Sequence, residues 1–226
     1  DVTLVALFAA ALIVSECLPM RLLYASEGEI TMSPTFALAL LVVGGASAAM
    51  CAMAIGSICS DVFLRRAPWR LGFNVGQYEI SVAAGAGVLA LLSGTSFWAP
   101  HQLVPSLLPA MVAAAIVFFL VNSMLVARIV TIVEGAAFWS YLRRDLVLQM
   151  STDSILLGLA PIVVITAEFS VAALPLLGLP LFALHAAGRQ GLANQRQALH
   201  DGLTNLPNRT LFEERRNRLV KGLRAL

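Results

Sequence analysis

Charge is what this sequence has least of. Only 12% of its 226 residues are Asp, Glu, Lys or Arg, against about 25% in an ordinary globular domain. With 59% hydrophobic residues and a mean hydropathy of +0.84, a soluble core is excluded and the membrane class remains. Cysteine is sparse too. Cys17, Cys51 and Cys59 are odd in number, lie in apolar segments and share no CxxC or Cys/His spacing. No metal site is indicated, and they read as small packing residues. No Lys or P-loop spacing accompanies Gly44, Gly45, Gly56, Gly85 and Gly87. That excludes a phosphate cradle and leaves close helix packing. The net formal charge of +2 says little by itself, and no nucleic-acid partner is expected. Asp1 is not an initiator methionine, so the native chain is expected to begin upstream. The first segment reaches Glu16 and Pro19 without a small-residue cleavage site, so a signal peptide is not expected.

What is present is a series of apolar runs long enough to cross a hydrocarbon core of roughly 30 Å. Residues 2–18 form the first, and the polar residues 21–32 read as a loop. Pro34 opens a second run to Phe63, interrupted by Gly44-Gly45. As one helix it would be roughly 45 Å long at 1.5 Å per residue, so it reads as broken, strongly tilted, or two short helices. Further spans are expected at 71–93, 107–127, 154–169 and 171–187, the last punctuated by Pro175 and Pro180. Residues 129–148 mix Glu134, Arg143, Arg144 and Asp145 with Phe138, Trp139 and Tyr141, which suits an amphipathic helix lying at the interface.

Basic residues set the orientation. Arg65, Arg66, Arg70, Arg128, Arg143, Arg144, Arg189 and Arg196 are expected to be cytoplasmic, and the loop 94–105, without Lys, Arg, Asp or Glu, to face outward. The expected fold is an all-α membrane protein, a polytopic bundle of six transmembrane helices. The count is seven, with the N-terminus outside, if residues 34–63 cross twice.

Polar side chains inside a span are costly and are weighed as functional by default. Asn74, Tyr78, Ser81 and Gly85 fall on one face of the 71–93 helix with Gln77 beside them, and Asn122 joins from the 107–127 span. This set is the candidate ligand-binding face; helix–helix hydrogen bonding is the commoner use of such residues. Glu16 and Glu168, near the ends of apolar runs, read as interfacial carboxylates reaching water, with capture of a cation or ligand amine as the functional alternative. Asp61 is expected to pair with Arg65. Trp98 and His101 lie in the outer loop, as a lid or as part of an aromatic belt.

Beyond Gly188 the chain turns polar and helical as far as Leu199, with Leu192 and Leu199 seven residues apart. The turn "HDGLTNLPNR" follows, and then a helical pattern in which Thr210 and Glu213 have capping-box spacing. "DGLTNLPNRTLFEERRNRL" resembles the start of a GGDEF domain, the diguanylate cyclase module, in which an Asp-x-Leu-Thr-x-Leu-x-Asn-Arg turn links a signalling helix to the domain's first helix. Asp201, Leu203, Thr204, Leu206, Asn208 and Arg209 match. More loosely, "GEITMSPTFALALLVVGG" and "GSICSDVFLRRAPWRLGFNVGQYEIS" look like integral-membrane sensor regions of the MASE kind.

The resemblance implies three parts: a transmembrane sensor domain at 1–187, a signalling helix at 188–200, and the beginning of a GGDEF domain at 201–226. It also implies a bacterial inner-membrane location with a cytoplasmic C-terminus, and a homodimer formed through the signalling helix. The family's metal-binding carboxylates and Gly-Gly-Asp-Glu-Phe loop come later than these residues. No catalytic residue, metal site or cofactor is therefore expected within them; Mg²⁺ and GTP belong to the cyclase portion alone. The partners expected of the membrane part are lipids and an unknown small ligand. A sensory input module is the leading expectation, a structural anchor that dimerises the output domain is the first alternative, and small-molecule transport is the second.

Overall fold

The computed structural model describes residues 2–21, 29–135 and 137–174. The described chain is helical, apart from a two-residue antiparallel pair. In order it contains α1 (Val2–Glu16), β1 (Met20–Arg21), β2 (Glu29–Ile30), α2 (Ser33–Phe63), α3 (Pro68–Ser93), α4 (Leu108–Glu134) and α5 (Phe138–Phe169), with 3₁₀ turns at Pro105–Leu107 and Val171–Ala173. Three segments are long and apolar enough to cross a membrane: Ser33–Phe63, Pro68–Ser93 and Pro105–Val133. Val2–Glu16 and Ile155–Phe169 are apolar but shorter. The chain divides into two compact units. Residues 1–19 and 31–179 form the helical bundle; residues 20–30 belong with 180–226, and there the described part is the ladder Met20↔Ile30, Arg21↔Glu29. The signalling helix at 188–200 and the turn residues Asp201, Leu203, Thr204, Leu206, Asn208 and Arg209 lie outside the described residues.

α2 is a hairpin rather than a rod. Gly45 has φ 78° and ψ 179° inside the helical run, a region that only glycine occupies readily. Glu16 shows how far the chain turns there. Its carboxylate bonds Ser33, at the start of α2, while its Cβ lies 3.4 Å from where a Cβ on Gly56 would be. In a straight helix those two positions would be about 34 Å apart. The arm 33–44 therefore folds back against the arm 46–63 at Gly45. Its residues Ala37 to Val42 are all buried, as expected of a helix enclosed on every side.

α1 runs alongside the second arm in the same direction. Val5 packs at Gly44, and Leu12, Ile13 and Glu16 pack at Gly56. α3 packs on α2 and α4, and α5 on α4 and α2. The close approach of α3 to α4 occurs at Gly85, where a Cβ would be 3.2 Å from the Ala114 carbonyl oxygen. Thr35, fully buried in the first arm, donates to the Leu156 carbonyl at 2.7 Å. This ties α2 to α5 within the turn that precedes Pro161.

Two expectations require correction. The interfacial helix at 129–148 does not exist as one element. Gly135, at φ 67°, ends α4 in the left-handed conformation, and α5 begins at Phe138. The mixed charge and aromatics there belong to two helix ends meeting at a turn. Glu16 is likewise no interfacial carboxylate reaching water: it is 5% exposed.

Candidate functional site

Glu16 reaches the interior because of its register. Leu4, Phe8, Leu12 and Glu16 recur every fourth residue and form the buried stripe of α1, so the carboxylate continues an apolar seam. Gly56 lets that seam close on α2; a Cβ there would be 3.0 Å from Leu12 Cδ2. The same Glu16 oxygen, Oε2, is in hydrogen-bond contact with Thr31 Oγ1 at 2.8 Å and with Ser33 Oγ. Thr31 and Ser33 also touch each other, Oγ1 to Oγ, at 2.6 Å. Tyr78 of α3 adds a side-chain hydrogen bond to the carboxyl group, and Arg66 contributes its positive field. One buried carboxyl thus joins α1, the entry of α2 and α3.

A second cluster lies nearer the α2–α3 connection. Asp61, 1% exposed, accepts from Arg66 Nη1 at 2.7 Å and from Asn74 Nδ2 at 3.1 and 3.0 Å through its two oxygens. Arg66, not Arg65, is its ion-pair partner. Arg65 takes the left-handed conformation in the connection, φ 52°, and stays exposed, which carries its side chain away from Asp61.

The third feature is the loop between α3 and α4. Gly45 breaks the helical ladder and frees the Val42 carbonyl, which accepts from the His101 backbone N–H at 2.6 Å. The Trp98 carbonyl lies against Gly45 so closely that a Cβ there would overlap it. The loop backbone thus caps the hairpin bend. His101 Nε2 is in hydrogen-bond contact with Thr95 Oγ1 at 2.6 Å and Ser93 Oγ at 3.2 Å, while Nδ1 is buried without a partner. Burial pushes the imidazole below its ordinary value. Trp98 is exposed, consistent with an aromatic anchor.

The residues of the expected ligand face are held in different ways. Asn74 goes to Asp61 and Tyr78 to Glu16. Ser81 bonds back to the Gln77 carbonyl of its own helix at 2.6 Å. Gln77 Oε1 and Asn122 Oδ1 are buried and unpartnered. A crevice between α2, α3 and α4, lined by Ala37, Leu38, Leu41, Val82, Gly85 and Phe118, is apolar and too narrow for a water molecule. Sequence reasoning missed Thr31 and Ser33, and placed Glu16 at the rim. The available signal was the every-fourth spacing that puts Glu16 in line with Phe8 and Leu12. Among the described residues no group of three or more His, Cys, Asp or Glu is arranged to hold a metal ion. Comparison with family models, with curated proteins and with solved structures gave no match.

Proposed function

We propose that this chain is the membrane-embedded input module of a bacterial inner-membrane signalling protein. Its cytoplasmic tail leads into a domain that synthesises cyclic-di-GMP, and Mg²⁺ and GTP belong to that domain. The stimulus is a small ligand, a lipid or a state of the membrane. The observation that carries this reading is the Glu16 cluster. A carboxyl group buried in an apolar bundle and held by side chains from separate elements is costly as scaffold and suited to a switch. The sequence from Asp201 to Arg209 supplies the connection to the output domain.

Coupling requires a stimulus that binds two packings with different affinity. The α2 hairpin is the element suited to two packings, since the loop caps its bend and Glu16 touches both of its arms. The hairpin favours the topology in which residues 34–63 pass twice. Counting the first arm as a short pass, about 18 Å long, gives seven, with the N-terminus outside and the C-terminus in the cytoplasm.

The test is cyclic-di-GMP synthesis by the full-length protein in vesicles, wild type against Thr31→Val with Ser33→Ala. An output fixed at one level, unresponsive to lipid composition and membrane potential, is the expected result. A regulated output identical to wild type removes the input reading. What then stands is the anchor and dimerisation module, which the narrow apolar crevice and the engagement of Asn74 by Asp61 favour.

A further inference from the structure

Counting hydrogens at Glu16 leads beyond the packing. Three oxygens, Glu16 Oε2, Thr31 Oγ1 and Ser33 Oγ, are mutually in contact, making three oxygen–oxygen pairs. Each pair at such a separation needs a hydrogen between its members. Thr31 and Ser33 bring one hydroxyl hydrogen each. If both donate to an ionised Glu16, the Thr31–Ser33 pair at 2.6 Å is left with two lone pairs facing each other. One more hydrogen closes the set.

We propose that Glu16 is a proton-binding site whose carboxyl group holds a proton at neutral pH in a closed ring with Thr31 and Ser33. The carboxyl O–H donates to Ser33 Oγ, the Ser33 hydroxyl to Thr31 Oγ1, and the Thr31 hydroxyl back to Glu16 Oε2. Three hydrogens then serve three contacts, and Tyr78 adds a hydrogen bond to the same carboxyl group. Loss of the proton to solvent leaves a carboxylate and one unbridged pair, so the ring opens where α1 meets the entry of α2.

The surroundings agree with a neutral acid. Glu16, Thr31 and Ser33 are 5%, 8% and 0% exposed, and an ionised carboxylate at such a place needs a dedicated counter-charge. Among the described residues the cation near it is Arg66, which is paired with Asp61 at 2.7 Å and reaches Glu16 through its field. Among the described residues the other titratable groups around it are Tyr78 on α3, Cys17 beside it in sequence, and Cys59 on α2, which lies near Cys17. The oxygen triangle is also too tight to seat a metal ion among its members, because ligand oxygens around a cation at 2.3–2.6 Å must stand farther apart.

The proton site and the input reading fail separately. The full-length protein is reconstituted in lipid, and its infrared spectrum is recorded between pH 5 and 10. The expected result is a protonated-carboxyl C=O band at pH 7 that shifts in D₂O, disappears in Glu16→Gln and persists in Glu79→Gln, the substitution at an α3 carboxyl group whose Oε1 is also buried. If Glu16→Gln does not fold, Ser33→Ala serves instead: the weakened hydrogen bond moves the band to higher frequency. A band absent at pH 7, a band indifferent to both substitutions, or a band abolished by sodium chloride but not choline chloride overturns the proton site. A band that behaves as expected, beside wild-type cyclic-di-GMP output that ignores lipid composition and membrane potential, upholds the proton site and counts against the input reading.

Discussion

Gly45 and Trp98 meet backbone to backbone: the bend of the α2 hairpin is closed by a carbonyl group from the loop between α3 and α4. Any side chain at position 45 must displace that carbonyl. It must also adopt φ 78°, ψ 179°, which is a glycine conformation.

Gly45→Ala should therefore destabilise the protein by about 3 kcal/mol, combining backbone strain with overpacking. Gly72→Ala is the control. Nothing lies within 4 Å of a Cβ there, and alanine inside a helix should stabilise by about 0.5–1 kcal/mol. Thermal unfolding of both variants in one detergent gives the comparison, and equal melting temperatures would contradict it.

Asn74→Leu removes two hydrogen bonds from a carboxylate that is 1% exposed. A loss of about 1.5–3 kcal/mol is expected, in the range for bonds to charged groups. Arg65→Ala should be neutral to within about 0.5 kcal/mol, whereas Arg66→Ala should not, because Arg66 is the residue paired with Asp61. Chemical denaturation of the three variants ranks them, and a destabilised Arg65→Ala beside a neutral Arg66→Ala would reverse the assignment.

Burial holds the His101 ring below its ordinary value of 6.5, so the unfolded chain binds the proton more readily than the folded one. The stabilisation from the neutral ring is then complete above pH 6.5. It is lost as pH falls through the lower native value. Wild-type melting temperature should fall in that acidic window more steeply than that of His101→Asn. Parallel curves for the two proteins would remove His101 as the cause.

Thr35→Val keeps the shape of the side chain but deletes its bond to the Leu156 carbonyl. A cost of about 0.5–1.5 kcal/mol is expected. Faster hydrogen exchange should follow in the α5 turn around Leu156, next to Pro161. Unchanged exchange there would mean that the carbonyl does not depend on Thr35.

How much of this was legible depended on where each partner lies. The end of α3 was readable because Gly94 follows its last helical residue and takes the left-handed conformation. The break at Gly44-Gly45 was readable too, but not the reversal, because a glycine pair signals a bend without giving its angle. Asn74 and Tyr78 stood out as polar residues in an apolar helix. Their partners, Asp61 and Glu16, lie on other helices, and local spacing is blind to those contacts. Arg65 and Arg66 are neighbours with identical side chains, and the choice between them rests on a backbone angle. The mixed segment 129–148 misled because one glycine, Gly135, divides a pattern that otherwise suits a single surface helix.

The first arm of α2 has a consequence for how this protein is made. Its twelve residues, 33–44, extend about 18 Å, little more than half the thickness of a hydrocarbon core. Such a segment cannot enter a bilayer alone, since its open end would carry bare peptide groups into oil. It has to be brought in by the longer arm behind it and sealed by α1 and the α3–α4 loop. Its place in the bundle therefore depends on segments that come both before and after it in the chain.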